Sequence, residues 1–215
     1  MARLLAFDLD GTLVDSSRDI AAAMNAALGR VAPGGPEIPL ASILSYVGEG
    51  ARLLVERCLQ HAELDLRPDD VLAVYLECYR EHLLDTTYLY PGVAEALDAL
   101  GGTSLAVLTN KPGDFSRSIL EGLGVAGRFA RIWGAGDVPS RKPDPGGLQR
   151  LMAELGASPA ETWIVGDSAT DVDAARAAGT RSAGVTWGFH PAALRAAGPD
   201  LLIDDPRDLA SLVAQ

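Results

Sequence analysis

A chain of 215 residues with 48% apolar composition is long enough to bury one full core and a smaller second one without disulfides or a structural metal. Its 18 basic and 29 acidic residues give a net charge of −11, and no run of lysine and arginine tracks a phosphate backbone, which argues against nucleic acid as a partner. No apolar run approaches the roughly 18 residues of a membrane span, residues 1–7 meet an aspartate too soon for a signal peptide, and Cys58 and Cys78 match neither a redox nor a zinc spacing, so the expectation is a cytoplasmic protein without membrane contact whose cysteines serve packing.

The apolar run 4–7 predicts a first strand, and it ends at Asp8-Leu9-Asp10-Gly11-Thr12. Two carboxylates two positions apart share one face of a strand, while Gly11 lets the chain leave sharply and approach a ligand closely. Such a pair suits a divalent cation, or one acid attacks as a nucleophile while the other moves protons. The local motif does not choose between these.

From residue 15 to about 88 the periodicity predicts helices over 20–28, 40–47, 51–60 and 70–84 with no strand among them, and Pro33-Gly34-Gly35-Pro36 loops out between the first two. Tyr90-Pro91-Gly92 marks the return to β structure. Strands at 105–108, 131–133, 163–165, 182–186 and 201–203 then alternate with helices at 93–100, 115–123, 148–155, 172–178 and 209–213. One strand, a helical module and then repeated βα units give an α/β fold with a doubly wound, mostly parallel, Rossmann-like sheet.

Further polar groups fall at the ends of these strands: Thr109-Asn110, Lys142 in the loop after 131–133, and Gly166-Asp167. In a parallel sheet the carboxyl ends lie along one edge, where these residues meet Asp8 and Asp10. Taken singly, each stretch also fits a turn or a helix cap; together at one edge they favour a site. Phosphoryl transfer to an aspartate needs a cation between carboxylate and phosphate and donors on the equatorial oxygens. Asp8, Asp167 and the backbone carbonyl of Asp10 suit Mg2+, Thr109 and Lys142 suit the phosphoryl oxygens, and Asp10 remains for proton transfer. His61, His82 and His190 lack any ligand spacing and are expected in structural or surface roles.

These stretches resemble the haloacid-dehalogenase-like hydrolases and, among them, the phosphoglycolate phosphatase-like group. Residues 8–16, Asp8-Leu9-Asp10-Gly11-Thr12-Leu13-Val14-Asp15-Ser16, are similar to the family's first motif, Leu108-Thr109-Asn110-Lys111-Pro112 to the second, Arg141-Lys142-Pro143-Asp144-Pro145 to the third, and Gly166-Asp167-Ser168-Ala169-Thr170-Asp171 to the fourth. The resemblance implies Asp8 as nucleophile, Asp10 as general acid and base, Asp167 as a Mg2+ ligand, and Asp171 as a second acid orienting the metal's waters or Lys142. It implies an α/β catalytic core of residues 1–14 and 89–215 and an inserted α-helical cap domain of 15–88. Tyr46-Val47-Gly48-Glu49-Gly50-Ala51 resembles a cap loop, which adds Gly48, Glu49, Gly50 and Arg52 to Thr109, Asn110 and Lys142 as expected substrate contacts. A carboxylate-bearing substrate asks the cap for a cation, and Arg52 and Arg18 are the candidates.

The implied activity is Mg2+-dependent hydrolysis of a small phosphate ester, 2-phosphoglycolate first, through an aspartyl phosphate, by a monomer or homodimer. A phosphosugar mutase of the β-phosphoglucomutase kind uses the same two aspartates and is the alternative. A phosphorylated receiver-type signalling protein combines the same groups on a parallel sheet and is the remote one.

Overall fold

The apolar start of the chain forms β1 (Leu4–Phe7), and all four of its side chains are buried in the computed structural model, which describes residues 2–214. Leu5 and Phe7 join one core with Val107, Ile119, Leu120 and Val165, while Leu4 and Ala6 join another with Leu108, Leu148, Leu151 and Ile164. A strand covered on both faces has no solvent side, which is why it reads as a continuous apolar run rather than an alternation.

The chain continues through β2 (Val14–Asp15), α1 (Ser17–Val31), α2 (Leu40–Leu44), α3 (Ala51–His61), α4 (Pro68–Glu81) and β3 (Tyr88–Leu89). The four helices bury their apolar faces in a cluster of their own, including Ile20, Met24, Leu54, Val55, Cys58, Val71, Tyr75 and Tyr79, with Phe115 reaching in from the later chain. Burial pushes the Cys58 thiol up to about 12, as befits a packing residue. The sequence predicts no strand at either end of this insert, yet β2 pairs antiparallel with β3, Val14 opposite Leu89 and Asp15 opposite Tyr88. Two residues per strand leave no alternation to read.

Asp19 clasps the two passages. Its carboxylate accepts the backbone N–H of Thr86 (3.0 Å) and Thr87 (2.9 Å) and both hydroxyls (2.5 and 2.7 Å). Burial works against its charge, but these four donors outweigh burial and hold the carboxyl below its ordinary range.

Beyond β3 come α5 (Val93–Ala99), β4 (Ser104–Pro112), α6 (Gly113–Gly122), β5 (Arg131–Ala135), α7 (Gly146–Leu155), β6 (Thr162–Gly166), α8 (Ala169–Ala178), β7 (Arg181–Val185), α9 (Pro191–Ala197) and β8 (Leu201–Ile203). Six strands form one parallel sheet in the order β5-β4-β1-β6-β7-β8. The chain builds outward from β1 through β4 and β5, then crosses back to lay β6, β7 and β8 on the other side. That reversal opens a crevice at the carboxyl ends of the strands beside β1. Three details differ from expectation: β4 runs on to Pro112 with a register shift after Leu108, α9 is an added helix, and residues 206–214 wind as a 3-10 helix.

Candidate active site

Asp8 and Asp10 follow β1, Thr109 and Asn110 lie in the last part of β4, and Asp167 follows β6, so the sheet brings all five to one cavity. Two glycines make room for Asp167. A Cβ on Gly11, whose φ is +79°, would run into the Asp167 carboxylate, and a Cβ on Gly188 would strike Asp167 and the Gly11 carbonyl. Phe189 N–H donates to Asp167 Oδ2 at 2.6 Å, which fixes the carboxylate from the loop after β7.

Lys142 and Asp171 stand behind Asp8, buried and outside the cavity wall. Lys142 Nζ is 3.0 Å from Asp8 Oδ1 and 2.6 Å from Asp171 Oδ1. Asp171 also caps α8, accepting the Ser168 hydroxyl (2.6 Å) and N–H (3.2 Å) on Oδ2. Burial alone would lower the Lys142 pKa, but the two carboxylates outweigh it and hold the ammonium above its ordinary value. For Asp167 nothing reverses burial: desolvation, then the charges of Asp171 and Asp8, push its pKa well above the carboxylate range.

Oxygens of Asp8, Asp167 and Asp171 lie within 4.8 Å of one another. Three carboxylates against one ammonium leave two negative charges unbalanced when all are ionised. Asp8 Oδ1, although close to Lys142, is aligned with no donor and is a buried oxygen without a hydrogen-bond partner. A hard divalent cation such as Mg2+ suits this donor set. Asp8 and Asp167 are the oxygens open to it, whereas both Asp171 oxygens are already bonded to protein donors.

Asn110 lines the cavity with its side chain fully engaged. Its amide donates to the carbonyls of Gly48 and Lys142, each at 2.9 Å, and its Oδ1 accepts Lys142 N–H at 2.9 Å. It therefore ties the insert loop to the lysine loop. His190, expected to be structural or on the surface, lines the cavity and its Nε2 donates to the Val47 carbonyl at 2.9 Å. The insert supplies Ile20, Val47, Gly48, Gly50, Ala51, Leu54, Tyr75, Leu76 and Tyr79 to the opposite wall.

The arginine candidates lie elsewhere. Arg52 pairs with Asp69 (3.0 Å) and Glu56 (3.4 Å) outside the cavity, Arg18 is not in its wall, and Glu49 pairs with Arg57. Successive helix residues are turned by about 100°, so with Ala51 and Leu54 facing the cavity Arg52 looks away. The residues that sequence reading passed over are Lys111, Tyr79, Phe189 and His190. Lys111 gave no local signal, because the predicted strand ends at 108 and only the observed β4 carries it into a buried position. Burial lowers its pKa, and the Asp10 carboxylate beside it opposes that shift.

A family profile described as haloacid dehalogenase-like hydrolase matches residues 5–185. A phosphoglycolate phosphatase of Pseudomonas putida is 39% identical over 97% of this chain and 79% of its own length, and one of Vibrio vulnificus is 37% identical over 98% of this chain and 96% of its own. The crystal structure of a protein of Haemophilus somnus 129pt, described as a predicted phosphoglycolate phosphatase, superposes with a TM-score of 0.92 at 33% identity, covering 100% of this chain and 98% of the other. The chain belongs to the haloacid dehalogenase-like hydrolase family.

Proposed function

We propose that this chain is a Mg2+-dependent phosphomonoester hydrolase that works through an aspartyl phosphate on Asp8, with 2-phosphoglycolate as the favoured substrate. The observation that carries the reading is the buried Asp8 carboxylate, 3.0 Å from Lys142 and clustered with Asp167 and Asp171, at the carboxyl edge of the sheet. The names of the relatives support the ester class and the choice of 2-phosphoglycolate.

An Asp8 carboxylate oxygen attacks phosphorus, the bond from phosphorus to the alcohol oxygen breaks, and Asp10 gives its proton to the departing alkoxide. Asp10 then takes a proton from water, the water oxygen bonds to phosphorus, the Asp8–phosphorus bond breaks and phosphate leaves. The Thr109 hydroxyl donates to the phosphoryl oxygens, and the Lys142 ammonium, held behind Asp8, offsets the negative charge that gathers there. Bound between Asp8 and Asp167, Mg2+ would supply the positive charge that lets carboxylate and phosphate dianion approach. Asp171 orients Lys142. Residues 15–88 act as a cap that keeps bulk water from the site, with Gly48, Gly50 and Ala51 in the cavity wall.

The test is a panel of phosphate esters assayed with and without Mg2+ on the wild type and on Asp8→Asn. The expected result is Mg2+-dependent release of phosphate, fastest from 2-phosphoglycolate, and none from the folded variant. Near wild-type turnover by Asp8→Asn would exclude the covalent route, and hexose 6-phosphate formed from the 1-phosphate would replace hydrolysis with the mutase reading.

A further inference from the structure

Lys111 is a buried charged residue, next to last in β4, and the steps above do not use it. Its side chain is only 4% exposed. The ammonium lies 3.0 Å from Asp10 Oδ1, 3.1 Å from Asp10 Oδ2 and 2.5 Å from the Tyr79 phenol oxygen, and 4.4 Å from the centre of the Tyr79 ring. On its other side Asp10 Oδ1 accepts the Ser16 hydroxyl at 2.5 Å.

Among the described residues of the cavity wall, Lys111 is the one lysine or arginine, so reading a substrate anion is the obvious role for it. The hydrogen bonds argue otherwise. An ammonium has three protons, and the two Asp10 oxygens and the Tyr79 oxygen provide an acceptor for each. Tyr79 belongs to α4 and is itself wedged, stacked on Tyr75 at 5.8 Å and edge-on to Phe115 of α6 at 5.6 Å. A group that delivers a proton as a carboxyl and takes one back as a carboxylate must present one oxygen at one place, and Asp10 is clamped from β4 on one side and from Ser16 on the other.

We infer that Lys111 is a positioning residue for Asp10, fixing the rotation of its carboxylate and, through the Tyr79 phenol, making that fixing depend on α4 being seated against the sheet. This rests on the reading of Asp10 as the group that protonates the leaving alkoxide. The consequence is that proton delivery is ready only when the insert is closed over the cavity.

The test compares an alkyl ester, 2-phosphoglycolate, with p-nitrophenyl phosphate, whose phenolate departs without a proton. Lys111→Met should lower kcat on 2-phosphoglycolate about 100-fold with KM within about threefold, while the first-turnover burst of p-nitrophenol slows by less than about threefold. Tyr79→Phe removes a single hydroxyl and keeps the ring packing; it should lower kcat on the alkyl ester about fivefold or more with an unchanged burst, and it keeps the test open should Lys111→Met fold poorly. In an Asp10→Asn background Lys111→Met should cost less than about a further twofold, because it acts through Asp10.

A rise in KM with kcat intact would make Lys111 a substrate contact and overturn the inference. So would equal losses on both esters, or full additivity with Asp10→Asn. If Asp10→Asn by itself left turnover of 2-phosphoglycolate intact, the proton-transfer reading would fall first, and the variant series tells the two failures apart.

Discussion

The Lys142 ammonium and the Asp171 carboxylate form a 2.6 Å ion pair in which neither side chain is more than 3% exposed. Asp171→Asn weakens the acceptor of the Lys142 ammonium but leaves it Asp8, 3.0 Å away. The variant is therefore expected to lower unfolding free energy by about 1 kcal/mol. It should also lower kcat by about tenfold or more, since Lys142 then leans on Asp8 alone. Urea unfolding and turnover on the same preparation check both, and a variant as stable as wild type would contradict the pairing as described.

Metal binding should be visible without substrate. With two unbalanced charges at Asp8, Asp167 and Asp171, Mg2+ at 100 times its dissociation constant should raise unfolding free energy by about 2.7 kcal/mol. Chelation should reverse this rise. Asp167→Asn should abolish it while leaving the fold intact, because it removes a charge that burial already disfavours. Calorimetric unfolding with and without Mg2+ decides the matter.

Asp19 makes a pH prediction confined to acid. Its folded pKa lies below the unfolded value, so its contribution is fully present above the ordinary carboxylate range of about 3.9 and is lost as pH falls through the depressed folded value. Asp19→Ala leaves four donors at Thr86 and Thr87 without their acceptor and should cost about 2–4 kcal/mol at neutral pH. Below pH 4 the gap between variant and wild type should close. Unfolding curves from pH 2.5 to 7 would show a gap that stays constant if the clasp were unimportant.

His190 joins the loop after β7 to the insert through the Val47 carbonyl, one residue beyond the Phe189 N–H that holds Asp167. His190→Ala removes one hydrogen bond of the closed arrangement and should raise KM about fivefold, the worth of roughly 1 kcal/mol. Turnover at saturation should change little. A fall in kcat with KM unchanged would place His190 in the chemistry instead of the closure.

The sheet was legible because its strands are buried on both faces and read as short apolar runs, and Asp8, Thr109, Lys142 and Asp167 were legible because strand ends in a parallel sheet share an edge. Lys111, His190 and the β2–β3 ribbon were not. Tyr79 is 32 residues from Lys111 and Val47 is 143 from His190, and neither partner carries a chemical label until the fold brings it near. Arg52 failed in the opposite way: it sits beside a telling glycine loop in sequence, but one step along a helix turned it out of the cavity.

The antiparallel contact of Val14 with Leu89 and Asp15 with Tyr88 has a further consequence. The chain departs and comes home at the same spot, so everything between is a cassette whose ends already touch. Such a segment can be exchanged between relatives, or replaced by a short turn, without re-threading the sheet. The insert is open to change as a block, on a timetable separate from that of the sheet beneath it.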